Sequence, residues 1–203
     1  MGVRKGQDWG STGPLPEDGV VVRTDAEARA VVARARRDNL PVPPLGLLGG
    51  DLCRTVGGRG DEARLHSPEA TRLVVDLGSV LVDGRLQFFV AHLVARRGWW
   101  RGPLFGAFNA QFLGDWDVAP RAHPGDGRLE VVEVTMPPGE RLKARRRLPR
   151  GTHVPHPGIR ITRESALQRD LPAGHRVWLD GERLGPARTL SIRVEPDALR
   201  IVV

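Results

Sequence analysis

Three short stretches hold the residues whose types and spacing could do chemistry. In residues 179–184, L-D-G-E-R-L, Asp180 and Glu182 lie two apart at a strand end. They are therefore predicted to face the same way and to raise each other's pKa, which suits a carboxylate that removes a proton. The alternative is a polar turn that exposes both. In residues 45–58, Gly49 and Gly50 precede a helix that begins at Asp51. Their amides, at the positive end of that helix, could cradle an anion; equally, the glycines could let a helix pack onto a strand. In residues 120–129, Asp126 stands between Gly125 and Gly127. One carboxylate with nearby carbonyls and waters suits a hard cation, whereas an Asx-type turn needs no ligand.

Other chemistries find less support. His153 and His156 have metal-like spacing, but Pro155 between them prevents the helical geometry that would converge the rings, so zinc is not expected. No nucleophile-elbow sequence is present. The formal net charge of +7 calls for an anionic partner. Arg141, Lys143, Arg145, Arg146, Arg147 and Arg150 form a run without an acid, and Arg29, Arg34, Arg36 and Arg37 form another. These are either solvated helix faces or contacts to an anionic lipid surface, worth about 1 kcal/mol per basic side chain. No aromatic interleaves with the arginines, so nucleic acid is not an expected partner.

The elements that must position these groups follow from period and punctuation. Residues 1–18 are polar and rich in Gly and Pro, and are predicted to be a flexible or draped arm. A strand at 20–23, a helix from 26 to about 37 capped by Asp25, a strand at 45–48 and a helix at 51–56 make one β-α-β-α unit. From about residue 72 the apolar period becomes two. Strands are predicted at 73–77, 80–82, 87–94, 104–113, 129–135, 158–162, 175–179, 189–194 and 199–203, with Asp-Gly turns at 83–84, 126–127 and 180–181. Residues 137–149 are an exposed connection or a short helix. The fold class is α+β, mainly β: a small α/β cap over 19–66 and an antiparallel β-sandwich, or distorted barrel, over 67–203.

A single cysteine, Cys53, makes no intrachain disulfide, which predicts a reducing, cytoplasmic setting. The apolar run at 86–95 is too short to span a bilayer and the N-terminal residues have no apolar core, so any membrane contact is expected to be peripheral.

Two separated segments carry a family resemblance. Residues 108–134, FNAQFLGDWDVAPRAHPGDGRLEVVEV, and 177–203, VWLDGERLGPARTLSIRVEPDALRIVV, resemble the all-β domain of the diacylglycerol kinase and sphingosine kinase-like lipid kinases. There an Asn-containing strand leads through a Gly-rich turn to a P-x-A-x-x-x-D-G-x-L-x-V-x-V hairpin, and a later hairpin carries D-G-E. The likeness covers most of residues 40–203. It implies that Asp126 is a magnesium ligand with the carbonyls of His123 and Arg128, and that Glu182, beside Asp180, is the base for a lipid hydroxyl.

Residues 45–58 are similar to the family's G-T-G-N-D loop and the helix after it, with Asp51, Leu52, Arg54, Thr55 and Gly57 on the helix. However, Leu47, Leu48, Gly49 and Gly50 replace Gly-Thr-Gly-Asn, removing groups that would bond phosphate or ribose. Setting Gly49, Gly50 and Asp51 on the family's G-G-D-G-T fails at Leu52 and Cys53, and that loop of the nucleotide lobe is not otherwise found. The resemblance thus implies a degenerate relative. Such a protein would bind a lipid or anionic ligand between cap and sandwich, or regulate a protein partner or a second copy, without efficient phosphoryl transfer. The alternative is a reduced ATP-dependent lipid kinase in which Gly49, Gly50 and Asp51 hold phosphate, Asp126 organises Mg2+ and Glu182 is the base.

Overall fold

Thr24, not Asp25, starts the first helix: its backbone is extended and its hydroxyl accepts the Glu27 amide at 3.1 Å. The computed structural model describes residues 9–99 and 102–203. Helix α1 (Asp25–Arg37) carries acids in its first turn and Arg34, Arg36 and Arg37 in its last, matching the helix dipole. Ala28, Val32 and Ala35 form its buried stripe. It connects two parallel strands, β2 (Val20–Val22) and β3 (Leu45–Leu47), and is followed by the short helices α2 (Asp51–Thr55) and α3 (Glu62–Leu65).

Residues 9–18 take the draped of the two expected forms, held against the fold. Strand β1 (Ser11–Thr12) pairs with β4 (Thr71–Val82), Leu15 is buried, and its amide donates to the Leu65 carbonyl at 2.7 Å. Residues 1–8 of the expected arm lie outside the described residues.

The remaining strands are β5 (Arg85–Phe89), β6 (His92–Arg96), β7 (Leu104–Phe108), β8 (Phe112–Leu113), β9 (Trp116–Asp117), β10 (Leu129–Val134), β11 (Ile159–Glu164), β12 (Ala166–Asp170), β13 (Arg176–Leu179), β14 (Glu182–Pro186) and β15 (Thr189–Val202). One sheet runs β1-β4-β15-β3-β2, with β5 beside β4 and β12 beside β15. The other is antiparallel, β11-β10-β7-β6-β13-β14. Phe89, Leu93, Leu129, Val177, Leu179 and Ile192 fill the space between them, the core of a β-sandwich. The cap is not a separate sheet: Ile201 and Val202 of β15 pair in parallel with Leu45 and Gly46 of β3, so the first sheet runs across the boundary expected at residues 66–67.

Several boundaries differ from expectation. The 87–94 strand breaks at Val90 and Ala91, where the chain leaves the first sheet and enters the second. The 104–113 strand stops at Phe108 and gives way to the small β8–β9 hairpin. Strand β15 is continuous through an irregularity between Glu195 and Leu199, where Asp197 takes φ 55°. Strands β12 and β14 were unforeseen in the sequence: β14 is largely exposed and lacks alternation, while β12 alternates in burial but places Arg169 as well as Leu167 on its half-buried side. Residues 137–149 form helix α4 (Pro138–Arg147) and enter a short 3-10 turn, Leu148–Arg150, laid on the outer face of the second sheet.

Gly78 looks like a strand breaker yet lies inside β4, directly across from Phe89. A Cβ at that position would come within 2.2 Å of the Phe89 ring, so the ring fills the space a side chain would need. Gly78→Ala should therefore lower the unfolding free energy by about 1–3 kcal/mol through overpacking. Urea unfolding should show the lower midpoint, and Phe89→Leu should restore part of the loss in the Gly78→Ala background.

Candidate functional site

The crossover between sheets creates a problem of hydrogen bonding. At Val90 and Ala91 the backbone belongs to neither ladder, and its amides need acceptors. The Asp180 carboxylate supplies them, accepting from Val90 N at 3.0 Å, Ala91 N at 2.9 Å and His92 N at 3.1 Å. Asp180 reaches this point because Asp180 and Gly181 form the two-residue turn between β13 and β14, with φ 50° and 82°. Its side chain is fully buried, and Arg29 Nε of α1 lies 3.6 Å away. Burial raises its pKa, against the lowering effect of His92 and the three amides.

A second set of contacts attaches the cap. Asp25 turns its carboxylate to the N-terminus of α2, accepting from Asp51 N at 2.5 Å and Leu52 N at 3.2 Å. Asp51 in turn accepts the Gly114 amide at 2.9 Å, and its other oxygen is 2.9 Å from His92 Nε2. Thr55 accepts the Gln111 amide at 3.0 Å. Burial raises the Asp25 pKa to about 6; the Asp51 and Leu52 amides oppose the rise, while repulsion from Asp180 and Asp51 adds to it. For His92, burial disfavours the charged form, but the bond to Asp51 and the fields of Asp180, Asp51 and Asp25 outweigh it and raise the pKa.

The structure gathers Gly50, Asp51, Asp180 and Glu182 around α1, but in arrangements different from those expected. Asp180 and Glu182 do not share a face. The left-handed backbone of the turn breaks strand alternation, so Asp180 points inward while Glu182 is 67% exposed and pairs with Arg29. The two amides after Gly49 and Gly50, those of Asp51 and Leu52, already hold an internal anion, the Asp25 carboxylate. A Cβ on Gly50 would lie 2.5 Å from that carboxylate, and one on Gly49 would lie 2.5 Å from the Arg23 carbonyl. A phosphate reaching the Asp51 and Leu52 amides would have to displace Asp25.

Asp126, His123 and Arg128 belong to a different contact set. Asp126 accepts the Arg128 amide at 3.0 Å in an Asx-type turn and is ion-paired with Arg163. His123 packs against Trp9 at a tilt of 49°, with ring centroids 4.5 Å apart, and its Nδ1 accepts the Gly125 amide. The adjacent Asp76 carboxylate is taken by the Gly127 and Asp197 amides. Arg163 stands where magnesium would need the Asp126 oxygens, and no group of three potential ligands forms among the described residues. A cation at this turn would have to displace Arg163 from Asp126.

The sequence reading missed Arg29, His92 and Asp25 as members of the cluster. Their only signal was a charged or polar residue in an otherwise apolar run, as with His92 inside F-F-V-A-H-L-V-A. The family model of the YegS C-terminal NAD kinase beta sandwich-like domain matches residues 79–203, more than half of the chain. The chain belongs to that family.

Crystal structures from Bacillus anthracis str. Sterne share the fold. One, of a diacylglycerol kinase, has TM-score 0.58 and 14% identity, with 91% of this chain and 75% of that chain covered. Another, of a proposed diacylglycerol kinase, has TM-score 0.60 and 15% identity, with 91% and 77% covered. No curated protein matches the chain. The YegS-type sandwich agrees with the resemblance read from residues 108–134 and 177–203.

The cluster has a pH signature. Asp25, raised to about 6, is joined by Glu130, which burial pushes up to about 7 against the lowering influence of Arg121. Both hold a proton more tightly in the folded chain, so their favourable contribution is complete below the ordinary carboxylate range. It fades as pH rises through those values. Unfolding free energy should fall between about pH 4 and pH 7, and Asp25→Asn should remove up to roughly 3 kcal/mol of that fall. Urea titrations at several pH values check this; parallel profiles for variant and wild type would contradict it.

Proposed function

We propose that this chain is a diacylglycerol kinase-like protein that binds a lipid acyl chain and an anionic membrane surface without efficient phosphoryl transfer. The observation that carries the reading is a cavity of about 370 Å3 between helix α4 and the outer face of the second sheet. Val94, Phe108, Leu113, Val132, Val134 and Leu148 give it an apolar lining, and its size suits a small-molecule site. Each methylene buried there is worth about 0.8 kcal/mol. The cavity lies on the sandwich itself and not at the cap, where charged side chains fill the junction.

Helix α4 is fixed over this cavity by Arg141. The buried guanidinium donates to the carbonyls of Met136 at 2.9 Å, Trp99 at 2.9 Å and Gly102. On the solvent side of the same helix and turn, Lys143, Arg146, Arg147 and Arg150 are exposed beside Leu142, which is 50% exposed. A basic, partly apolar helix beside an apolar cavity suits anionic lipid headgroups with one chain drawn inward. Against phosphoryl transfer stand the occupation of the α2 amides by Asp25, of Asp126 by Arg163, and of Glu182 by Arg29.

Val134→Trp should fill the cavity and weaken binding of a fluorescent fatty-acyl probe by about tenfold or more, with sedimentation on phosphatidylserine vesicles retained. Replacing Arg146, Arg147 and Arg150 by Gln should have the reverse effect, lowering vesicle affinity about fivefold per residue. Purified protein with diacylglycerol and Mg-ATP should release no phosphatidic acid. Steady turnover abolished by Glu182→Gln would overturn the non-catalytic part of the proposal.

A further inference from the structure

The described residues contain four buried carboxylates, and three of them are satisfied by backbone amides: Asp25, Asp76 and Asp180. The fourth is Glu130, which is 1% exposed, and neither of its oxygens makes a well-formed hydrogen bond. It occupies an outward-facing position of β10, two residues before Val132, where the alternation of the strand and the packing of that face call for an apolar residue. A buried polar group without a partner is costly, so its presence requires a donor from elsewhere.

Glu130 lines a second cavity of about 300 Å3, whose other walls are Pro120, Arg121, Val154, Pro155, Ile159 and Ile161. Only Ile159 is shared with the acyl cavity. A carboxylate accepts hydrogen bonds and donates none when ionised, and the prolines, Val154 and the isoleucines offer it no side-chain donors. Arg121 is exposed. An occupant must therefore bring its own N–H or O–H groups, together with a carbon body for the apolar walls to cover. A cation is favoured over a neutral donor because it also supplies the counter-charge that a buried carboxylate needs.

From this geometry we infer that the cavity is a binding site for a primary ammonium group on a short apolar body, with Glu130 accepting its N–H groups. The site is separate from the acyl cavity and goes beyond the reading given above. The ammonium could belong to a free small amine or to an ethanolamine lipid headgroup, which share this chemistry.

Titration with n-butylammonium chloride, followed by calorimetry, tests the inference. Saturable binding is expected, weakened about tenfold or more in Glu130→Gln. Tetramethylammonium, which has no N–H, and n-butanol, which has no charge, should bind more weakly than n-butylammonium. Ile161→Trp, which fills the cavity without altering the carboxylate, should also abolish binding and serves if Glu130→Gln does not fold. Tighter sedimentation on vesicles containing phosphatidylethanolamine than on phosphatidylcholine would identify the headgroup as the source; binding of the free amine alone would identify the small molecule. Failure of n-butylammonium to saturate, or equal affinity in wild type and both variants, would overturn the site. The fatty-acyl probe should bind Glu130→Gln as it does wild type, so failure here is distinguishable from failure of the lipid reading.

Discussion

The Asp180 carboxylate is the contact on which the rest of the arrangement depends. Where the chain passes from one sheet to the other it has three consecutive amides to satisfy, and Asp180 satisfies all three. A buried carboxylate is costly on its own, but charge-assisted bonds to amides offset that cost, and Arg29 adds a nearby positive charge. With Val90–His92 fixed, the His92 ring reaches Asp51, and Asp51 together with Asp25 fixes α2. The order of causes runs from a two-residue turn, to a crossover, to the seating of the cap. The same device recurs elsewhere: Asp76 joins the 127 and 197 turns, and Asp83 accepts from the Arg188 and Thr189 amides.

This use of acids limits the chemistry open to the cap junction. Asp25, Asp180 and Asp51 all spend their oxygens on bonds within the chain, and Glu182 is held by Arg29. A general base must have a lone pair free to reach a substrate proton. The sites with unused capacity lie away from that junction: an apolar cavity under α4 and a buried carboxylate on β10 whose oxygens make no well-formed hydrogen bond.

Much of this architecture was legible in the sequence, for physical reasons. Alternating apolar residues mark strands buried on one side, so β4, β10, β13 and β15 could be read, and Asp-Gly pairs at 83–84 and 180–181 marked tight turns. Exposed edge strands such as β14 carry no alternation and could not be read. The inward aim of Asp180 was hidden as well, because it depends on the left-handed turn and on amides ninety residues earlier in the chain. Gly78 read as a break because the ring that fills its space comes from another strand. Glu130 was visible as a lone acid in L-E-V-V-E-V, but its burial comes from residues 120–121 and 154–161, which no local pattern reveals.

Amide hydrogen exchange tests the central claim most directly, comparing wild type with Asp180→Ala. If Asp180 joins the sheets and seats the cap, exchange at residues 90–92 should accelerate strongly in the variant. Protection in α1 and α2 should fall with it, while β10 and β11 keep theirs. Unchanged protection at residues 90–92, or loss confined to the β13–β14 turn, would contradict the account.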